Sequence, residues 1–426
     1  MAVTAALVTG TLPTTGSVDM TSPGFGTPDC AIVMASEANT TSNPATHLNI
    51  SLGLVALSSA CTANRQRHGA SNADAYRHFD NRAITIISPT NSETEIQYGG
   101  SLISDGIRFT VETGSTTVQR YCQAMLIRGV KNIAQGTTTL TGTTPVAVST
   151  GFRPTAVFVL DSATNSPPPI LNSGCITSFG IVHWNNAGTR LQRCISYSSA
   201  NATSVATVNS SLWHTSCAKM YFNNGAYNRT AHAQSPTSSG FEFVAAESAN
   251  NHRLAWIAIE LNDHDQFYLG TQDCSTSNNP QNFTGLKFQP VAMGLMSTMM
   301  TFMNSTYGTS TGGISFGMAS GPSAQASIVV CDKDGVTPMV ASSRWDGSNI
   351  LNLRNHEDAV DAVGALSQFN PNGYTINYSD TPSSAWKLMV WAIGADASGG
   401  TAPTLSDLQA VNITSSSVQA TYDYAF

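Results

Sequence analysis

Two short patterns in the sequence could carry acid, base or nucleophilic chemistry. Asp263-His264-Asp265 places an imidazole between two carboxylates, but adjacent residues at a strand end point to opposite faces, so a solvated loop is the simpler interpretation. The segment Gly308-Thr-Ser310-Thr-Gly312 matches the G-x-S-x-G pattern of a nucleophile elbow, which needs a strand before the serine and a helix after it. Because residues 313–317 begin a strand instead, we expect a loop at Ser310.

Carboxylates elsewhere in the chain suggest a metal site or a glycosidase pair. Asp332 and Asp334 resemble a calcium turn, yet no bidentate Glu follows within reach, so we expect a hairpin turn. Glu357, Asp358 and Asp361 could supply a general acid and its partner, although an acidic surface loop is the simpler interpretation. The nine histidines show no H-x-H or H-E-x-x-H spacing. We therefore predict no metal, no cofactor and no catalytic residue.

One stretch of the chain, from residue 64 to residue 82, concentrates cationic and aromatic side chains. Its basic residues are Arg65, Arg67, His68, Arg77, His78 and Arg82. Arginine is favoured at interfaces because its planar guanidinium can satisfy carboxylates or carbonyls with two hydrogen bonds. The stretch could therefore be a subunit contact or an anionic-ligand site, although a solvated loop is the simpler interpretation.

Five of the tryptophans divide into two groups by their sequence surroundings. Trp256 and Trp391 lie in apolar runs and should be buried in the core. Trp184, Trp213 and Trp345 lie at turns or in polar strands, where we expect exposed rings that could stack on sugars. These three rings and the basic stretch are the candidate interface or ligand contacts.

The elements that must position these residues come in three copies. A pentapeptide with a central glycine recurs at offsets of 127 and 137, as Ser51-Leu-Gly-Leu-Val55, Ser178-Phe-Gly-Ile-Val182 and Ser315-Phe-Gly-Met-Ala319. Each copy closes with an alternating strand that a glycine leads, at Gly106, Gly240 and Gly373, and then with a final apolar strand. Landmarks in one order and nearly one spacing indicate an internal repeat.

Turn and strand patterns predict the fold of each repeat. Short strand-like runs bounded by Asn-Gly and Asp-Gly turns fill the copies, and even residues 356–366, the best helix candidate, are expected to form a strand or a single turn. We predict an all-β chain of three tandem antiparallel β-sandwiches of jelly-roll-like type. Thr-rich connectors at 136–145 and 273–280 suggest repeats over 1–136, 137–272 and 273–396.

Residues 397–426 are predicted to be a linker and a short β-hairpin segment. From Ala402 to Tyr424 the chain resembles the first two strands of a fibronectin type III domain, with Leu408, Val411 and Ile413 in place. Two strands cannot make a sandwich, because an isolated hairpin is only marginally stable in water. The segment is expected to pair with another chain or to belong to a longer form.

Composition narrows the range of partners. Charged residues make up 11% of the chain and the net charge is −7, whereas Ser, Thr and Asn number 50, 49 and 31. Nucleic acid and anionic membranes need a clustered cationic face, so neither is an expected partner. No apolar stretch suggests membrane insertion, and the N-terminal segment lacks the features of a secretory signal. The eight cysteines are expected to be mainly small buried hydrophobes, with Cys194 and Cys331 in corresponding positions.

Tandem β-sandwiches with a Ser-, Thr-, Asn- and Gly-rich surface and a fibronectin-like end resemble bacteriophage virion proteins of the tail-fibre, baseplate-appendage or capsid-decoration type. The resemblance extends over the whole chain and rests on its general character. It implies a non-enzymatic structural component, made in the host cytoplasm and carried on the virion as a tail or capsid appendage. Its partners would be other virion proteins and further copies of itself, and its loops could contact a host-surface glycan.

Two alternatives to a structural role stay open. The first is a carbohydrate-binding adhesin that stacks exposed tryptophan rings on sugars. The second is a glycan-degrading enzyme whose carboxylates come from separate repeats. Saturable binding to a glycan array would favour the adhesin, and release of reducing ends would favour the enzyme.

Overall fold

The computed structural model describes residues 2–37, 47–71, 74–88, 94–114, 116, 120–162, 170–200, 208–222, 226–246, 252–277, 279–307, 312–333, 335–355 and 358–394. The predicted segment 397–426, together with Ser310, Asp334 and Glu357, lies outside the described residues. The described chain consists of β-strands and one short 3-10 turn, His264–Gln266.

The strands fall into three consecutive units. Those described in the first unit are β1 (Thr4–Leu12), β2 (Ser17–Thr21), β3 (Cys30–Ser36), β4 (Leu48–Val55), β5 (Ser59–Gln66), β6 (Ala75–Asp80), β7 (Ile84–Ile87), β8 (Thr94–Ile103), β9 (Gly106–Gly114) and β10 (Arg120–Arg128). Those described in the second unit are β11 (Asn132–Leu140), β12 (Val146–Ser149), β13 (Ala156–Asp161), β14 (Ile170–Ser173), β15 (Cys175–Trp184), β16 (Arg190–Ser199), β17 (Val208–Trp213), β18 (Ala218–Phe222), β19 (Ala226–Ala233), β20 (Gly240–Ala245) and β21 (His252–Glu260). Those described in the third unit are β22 (Phe267–Asp273), β23 (Gln281–Thr284), β24 (Pro290–Ser297), β25 (Ser305–Tyr307), β26 (Gly312–Gly321), β27 (Ala324–Asp332), β28 (Ala341–Asp346), β29 (Leu351–Arg354), β30 (Val360–Asn370), β31 (Gly373–Asp380) and β32 (Lys387–Gly394).

Each unit packs a large antiparallel sheet on a small one. In the first unit the large sheet has the order β1-β10-β3-β4-β5-β6 and the small sheet the order β2-β9-β8-β7. The second unit repeats this as β11-β21-β13-β15-β16-β17 with β12-β20-β19-β18, and the third as β22-β32-β24-β26-β27-β28 with β23-β31-β30-β29. The prediction of an all-β chain of three tandem antiparallel β-sandwiches is confirmed. Residues 360–370 form β30, so the expectation of a strand there is also confirmed.

The recurring central glycine has a steric cause. A Cβ on Gly53, Gly180 or Gly317 would lie 2.1, 1.7 or 1.6 Å from a backbone carbonyl oxygen of the segment that crosses from the large sheet to the small one. Those carbonyls belong to Ala83, Cys217 and Ile350, which precede β7, β18 and β29. Glycine is needed at this position because any side chain would push the two sheets apart.

The large sheets are buried on both faces, which is why a strand such as β3 is apolar along nearly its whole length. Along β3, Ala31 and Val33 face the core between the two sheets of the first sandwich, whereas Ile32 and Met34 face a second core. This second core also contains residues of the other two units, such as Phe158. We call it the central core. Strand residues alternate between faces, so one apolar run fills both cores.

Strand pairing divides the chain earlier than the Thr-rich connectors suggest. The predicted border at 136/137 falls inside β11, which pairs with β21 of the second unit, and the border at 272/273 falls inside β22, which pairs with β32 of the third. The interpretation of 136–145 and 273–280 as linkers is therefore wrong. Both segments run within a unit, from its first strand to its second, and threonines 137–139 belong to β11, since threonine suits a strand.

The units close into a ring in which equivalent strands meet. Gln135 on β11 donates to the carbonyl of Leu54 on β4 (3.3 Å), and the amide of Leu7 on β1 donates to the hydroxyl of Ser320 on β26 (2.8 Å). The matching contact of β22 with β15 packs Phe267 against His183, with ring centroids 5.3 Å apart. The first strand of each unit thus lies on the pentapeptide strand of another, as a pseudo-threefold arrangement requires.

Strand direction gives the ring two different ends. At one end, which we call the base, β1 begins and β10 ends, with Thr4 opposite Arg128, and β32 ends near the start of β22, with Ile393 opposite Phe267. At the opposite end, which we call the crown, strands β5, β16 and β27 end at Gln66, Ser199 and Asp332. Both ends of the described chain therefore emerge at the base.

Candidate functional site

Aromatic side chains join the units through the central core. Phe158 of the second unit meets Phe267 and Trp391 of the third edge to face, at centroid distances of 6.0 and 5.6 Å. Tyr121 of the first unit stacks on Trp345 of the third at 4.4 Å with the planes 10° apart. Such pairs add stability beyond the area they bury, so the ring is held by the same forces that hold each sandwich.

A polar contact joins all three units toward the crown. The hydroxyl of Tyr197 in the second unit lies 2.8 Å from Asp332 Oδ2 of the third and 3.3 Å from Gln66 Oε1 of the first. All three side chains are at least 98% buried. Burial and the carboxylate of Asp332 raise the pKa of Tyr197 well above its usual value, so the phenol stays a donor.

The contact has a symmetric origin. In the strand register Gln66 lies opposite Leu48 and Asp332 lies opposite Gly312, and the third equivalent residue, Ser199, lies opposite Cys175. Sequence reasoning missed these positions. Aligning the pentapeptide strands and following each hairpin to its end would have shown a polar residue in all three copies.

The first and second units are joined by a strand of one unit that pairs with the sheet of the other. Strand β14 of the second unit adds to the edge strand β6 of the first. The amide of Gly174 donates to the carbonyl of Ala75 (2.7 Å), and Arg77 Nη1 donates to the carbonyl of Gly174 (3.1 Å). Burial and the nearby Arg229 lower the pKa of Arg77 to about 10, which leaves it charged at neutral pH.

The second and third units are joined in the same way. Strand β25 of the third unit adds to the edge strand β17 of the second. Asn304, just before β25, donates its amide to the carbonyl of Leu212 (2.9 Å). Its side chain accepts from the backbone of His214 (3.1 Å) and donates to Nε2 of the same residue (2.7 Å). Both junctions thus combine strand pairing with side-chain hydrogen bonds.

The third and first units meet differently in the described residues. Segment 68–71 of the first unit lies along segment 337–341 of the third. Gly69 donates its amide to the carbonyl of Met339 (2.7 Å), and Met339 donates to the carbonyl of Ala70 (3.0 Å). Loop backbones and histidine side chains seal this junction.

The basic stretch of the sequence lies at these junctions, mainly on β5 and β6. The interpretation of the whole stretch as a solvated loop is wrong, because Arg65, Arg77 and His78 are 0, 9 and 3% exposed. Arg65 Nε donates to the carbonyl of Ser88 (2.7 Å) and its Nη1 to Asp74 Oδ1 (2.6 Å). Its buried charge is satisfied within the first unit.

The other basic residues of the stretch have separate positions. Arg67 and His68 are exposed in the segment after β5, where Arg67 lies 3.8 Å from Asp74. His78 on β6 faces Asp80 (3.8 Å), and burial lowers its pKa. Arg82 follows β6, is partly exposed and forms an ion pair with Glu112. The residues therefore do not converge on one pocket, although Arg65, Arg67 and His68 share the junction between the third and first units.

Two tryptophans expected to be exposed are buried. Trp184 is 0% exposed in the core of the second sandwich, and Trp345 is 7% exposed beneath its stack with Tyr121. The expectation failed because each ring packs against an aromatic residue that is distant in sequence, Trp184 against Phe241 and Trp345 against Tyr121. Trp213 is partly exposed, but the Lys219 ammonium lies 3.2 Å from its ring centroid and covers one face. The predicted burial of Trp256 and Trp391 is confirmed.

The first catalytic candidate, Asp263-His264-Asp265, connects the second unit to the third and holds the hairpin before β16. Asp263 Oδ1 accepts from the side-chain amide of Asn186 (2.6 Å), and Asp265 Oδ1 accepts from the backbone amide of Asn186 (3.1 Å). His264 Nδ1 lies 3.2 Å from the carbonyl of Trp184. The carboxylates and the imidazole are all used to fix a loop, so the interpretation as a solvated loop needs correction in one respect: the His264 side chain is buried.

The acidic loop of the third unit also holds backbone and side chains in place. Asp358 receives Arg344 Nε at 2.8 and 2.9 Å on its two oxygens. Asp361 accepts from the indole of Trp386 (2.5 Å). Asp332, considered as part of a calcium turn, accepts from Tyr197 instead. Within the described residues, no group of three or more His, Cys, Asp and Glu side chains is arranged to hold a metal ion.

All eight cysteines are free and buried, which confirms them as small core residues. Burial raises the pKa of the Cys61 and Cys194 thiols to about 12. The correspondence of Cys194 with Cys331 is wrong. Cys194 lies opposite Gly180, as Cys61 lies opposite Gly53, whereas Cys331 lies opposite Gly313. The connections between these strand pairs differ in length, so an equal offset joins non-equivalent positions.

Comparison with known proteins does not add a relative. No protein-family model and no curated protein matches the chain. In the described residues no helix is long and apolar enough to cross a membrane.

Proposed function

We propose that the protein is a non-enzymatic structural component of a phage particle, a tail or capsid appendage. The observation that carries this proposal is the single ring of three sandwiches around a central core. Phe158, Tyr121 and Tyr197 each make side-chain contacts that join one unit to another. A rigid body of this kind suits a part that bears load or presents a surface.

The polarity of the ring supports the same role. Both ends of the described chain lie at the base, where a connection to other virion proteins, including further copies of this chain, would begin. Strands β3, β5, β7 and β9 and their equivalents end at the crown, where the described segment 67–71 also lies. Loops held on a rigid sandwich are a frequent place for recognition, so the crown is the end that would face outward and contact a host-surface glycan.

The use of charge supports a structural role as well. Asp74, Asp265 and Asp358, which are acids near the junctions and connections, each hold an arginine, a lysine or a backbone amide. Buried Arg65 donates to a carbonyl and a carboxylate, and buried Arg77 donates to the carbonyl of Gly174. Their hydrogen bonds stabilise the ring.

The test is the location of the protein in purified particles. Particles from the organism that makes this chain are separated on a density gradient, and the chain is quantified by mass spectrometry against a known structural protein. We expect a fixed copy number per particle, and antibodies to the crown segment 67–71 should bind intact particles better than antibodies to the base segment 129–131. Recovery of the chain only in the particle-free fraction would overturn the proposal. Release of reducing ends from a glycan by the purified chain would favour an enzyme instead.

A further inference from the structure

The junction between the third and first units depends on two histidine side chains as hydrogen-bond acceptors. Ala341, the first residue of β28, donates its amide to Nδ1 of His68 (3.2 Å). His68 in turn donates its own amide to Nδ1 of His47 (3.0 Å). The carbonyl of His47 accepts from the hydroxyl of Ser343 on β28 (3.0 Å). The two residues form a chain of hydrogen bonds from one unit to the other.

The two bonds accepted by Nδ1, from the amides of Ala341 and His68, each require a neutral imidazole. A neutral ring has one nitrogen that accepts, whereas a protonated ring carries hydrogen on both nitrogens and only donates. Protonation of His68 would set its Nδ1 hydrogen against the amide of Ala341, and protonation of His47 would do the same against the amide of His68. Acid therefore converts two attractive contacts into repulsive ones at the same place.

Burial and the charges around His47 favour its neutral state. Burial lowers the pKa of His47, and Arg65, His68 and Arg67 lower it further, while Asp74 opposes them. From the third unit, the groups that bond to the pair are the amide of Ala341 and the hydroxyl of Ser343, which are uncharged. Glu37, which follows β3, interacts electrostatically with Arg65. Burial raises the pKa of Glu37 to about 7.

The junction between the second and third units would keep its strand pairing after a histidine is protonated. His214 also accepts through Nε2, from Asn304, but there the pairing of β25 with β17 continues beside it. Beside the two histidines, segments 68–71 and 337–341 are joined by bonds between loop residues, including the hydroxyl of Thr337 to the carbonyl of Ser71 (2.9 Å). Loop bonds open at a lower free energy than paired strands in a core.

We propose that the junction between the third and first units is a pH-sensitive clasp, closed while His47 and His68 are neutral and opened when either ring is protonated. The open state binds more protons than the closed one. The junction is therefore fully stable above the ordinary histidine pKa of about 6.5 and weakens as the pH falls below it. Opening would separate the crowns of the first and third units, while the base and the central core keep the ring together.

Hydrogen exchange on the full chain tests the clasp directly. Mass spectrometry follows the amides of Gly69, Met339 and Ala341 at about pH 7.5 and about pH 5, after correction for the intrinsic effect of pH on exchange. We expect these amides to lose protection by roughly tenfold for each unit by which the pKa of His47 is lowered in the closed state. Amides of β13 in the central core should keep theirs. Unchanged protection of Ala341 at the lower pH would overturn the proposal, and so would an equal loss throughout the chain.

Asparagine variants separate the histidines from other titrating groups. The oxygen of asparagine can take the place of Nδ1 as an acceptor and does not titrate. The double variant His47→Asn/His68→Asn should keep the protection seen near pH 7.5 and should lose the effect of acid. His232→Asn is the control. Nδ1 of His232 faces the carbonyl of Thr215 within the second unit (2.8 Å), so this nitrogen can carry a hydrogen whether the ring is neutral or charged. An acid effect that persists in the double variant would assign it to other groups and end the proposal; an effect abolished by His232→Asn would do the same.

Discussion

The junction between the second and third units and the junction between the third and first units perform one task by different means. The former has a strand of one unit paired to the sheet of the next, with Phe158 packed against Phe267 and Trp391 below it. The latter has, in the described residues, loop backbones bridged by His47 and His68 above the stack of Tyr121 on Trp345. Apolar packing and strand pairing do not titrate, whereas imidazole acceptors do. A ring of three similar units can therefore have one junction that responds to acid.

The largest expected effect is the loss of an aromatic side chain from the strand-paired junction. Phe158→Ala should lower the free energy of unfolding by about 3–5 kcal/mol, because it leaves a cavity among rings of two units. Denaturant unfolding measures the loss, and hydrogen exchange at Asn304 shows whether the junction loosens.

Phe109→Ala is the matched control for that change. Phe109 is also fully buried, but it lies in the core of the first sandwich. It should cost a similar free energy and leave exchange at Asn304 unchanged. A loss under about 1 kcal/mol for Phe158→Ala would show that the central core contributes little to the ring.

The next largest effect concerns the buried acid behind the histidine clasp. The folded state holds the proton of Glu37 up to about pH 7, whereas the unfolded carboxyl releases it near 4.5, mainly because burial raises the folded pKa. The folded state then binds more protons in this window, and stability falls as the pH rises through it. Glu37→Gln should remove this fall and raise the free energy of unfolding near pH 8 by up to about 3 kcal/mol.

Glu95→Gln is the comparison variant for Glu37→Gln. Glu95 lies 3.3 Å from Arg120, the same arginine that lies 4.0 Å from Glu37. Removing this closer partner should not stabilise the protein near pH 8. The pH dependence of unfolding by denaturant distinguishes the two, and a gain for both variants would mean that excess negative charge, rather than burial of Glu37, sets the trend.

A smaller effect is expected where all three units meet. Tyr197→Phe removes the hydroxyl that Asp332 and Gln66 share and should cost about 2 kcal/mol, since two buried acceptors lose their donor. Tyr98→Phe removes a single bond to the carbonyl of Pro13 inside the first unit and should cost about 1 kcal/mol. Thermal unfolding ranks the two variants. The reverse order would show that the contact of Tyr197 with Asp332 and Gln66 does not help to hold the ring together.

The smallest effect is expected far from any junction. Arg108 forms an ion pair with Asp19 (2.6 Å) on the exposed face of the small sheet of the first unit. Exposed pairs are screened by water and salt, so Arg108→Gln should leave the melting temperature unchanged. Arg344→Gln, which breaks the less exposed pair with Asp358 beside β28, should lower it. Equal shifts in melting temperature would show that the lower exposure of the Arg344–Asp358 pair does not make it more stabilising.

The repeat and the strand content could be predicted from sequence because each has a local cause. The glycine of the pentapeptide recurs because a carbonyl of the crossing segment lies against it in all three units. Alternation in the strand after Gly106 and its equivalents reflects one face in a core and one toward solvent. The borders were placed too late because threonine is common both in linkers and in strands such as β11.

The junctions could not be predicted because their partners are distant in sequence. Arg65 resembles a surface residue by type, yet it is buried, and Ser88 and Asp74 satisfy it from elsewhere in the first unit. Trp184 has polar neighbours in sequence, yet its ring is buried against Phe241 in the core of the second sandwich. The contact between Gln66, Tyr197 and Asp332 depends on the packing of three units at once. Patterns within one repeat contain no information about such packing.

Gln66, Ser199 and Asp332 end equivalent strands and are an amide, a hydroxyl and a carboxylate. Three identical chains would have to place the same side chain at all three positions, and three aspartates would bring three negative charges together near one axis. Joining the units in one polypeptide removes that constraint, so the residue at each of the three positions can change independently of the other two. Dilution cannot separate them either, because each unit always has its neighbours at a high effective concentration.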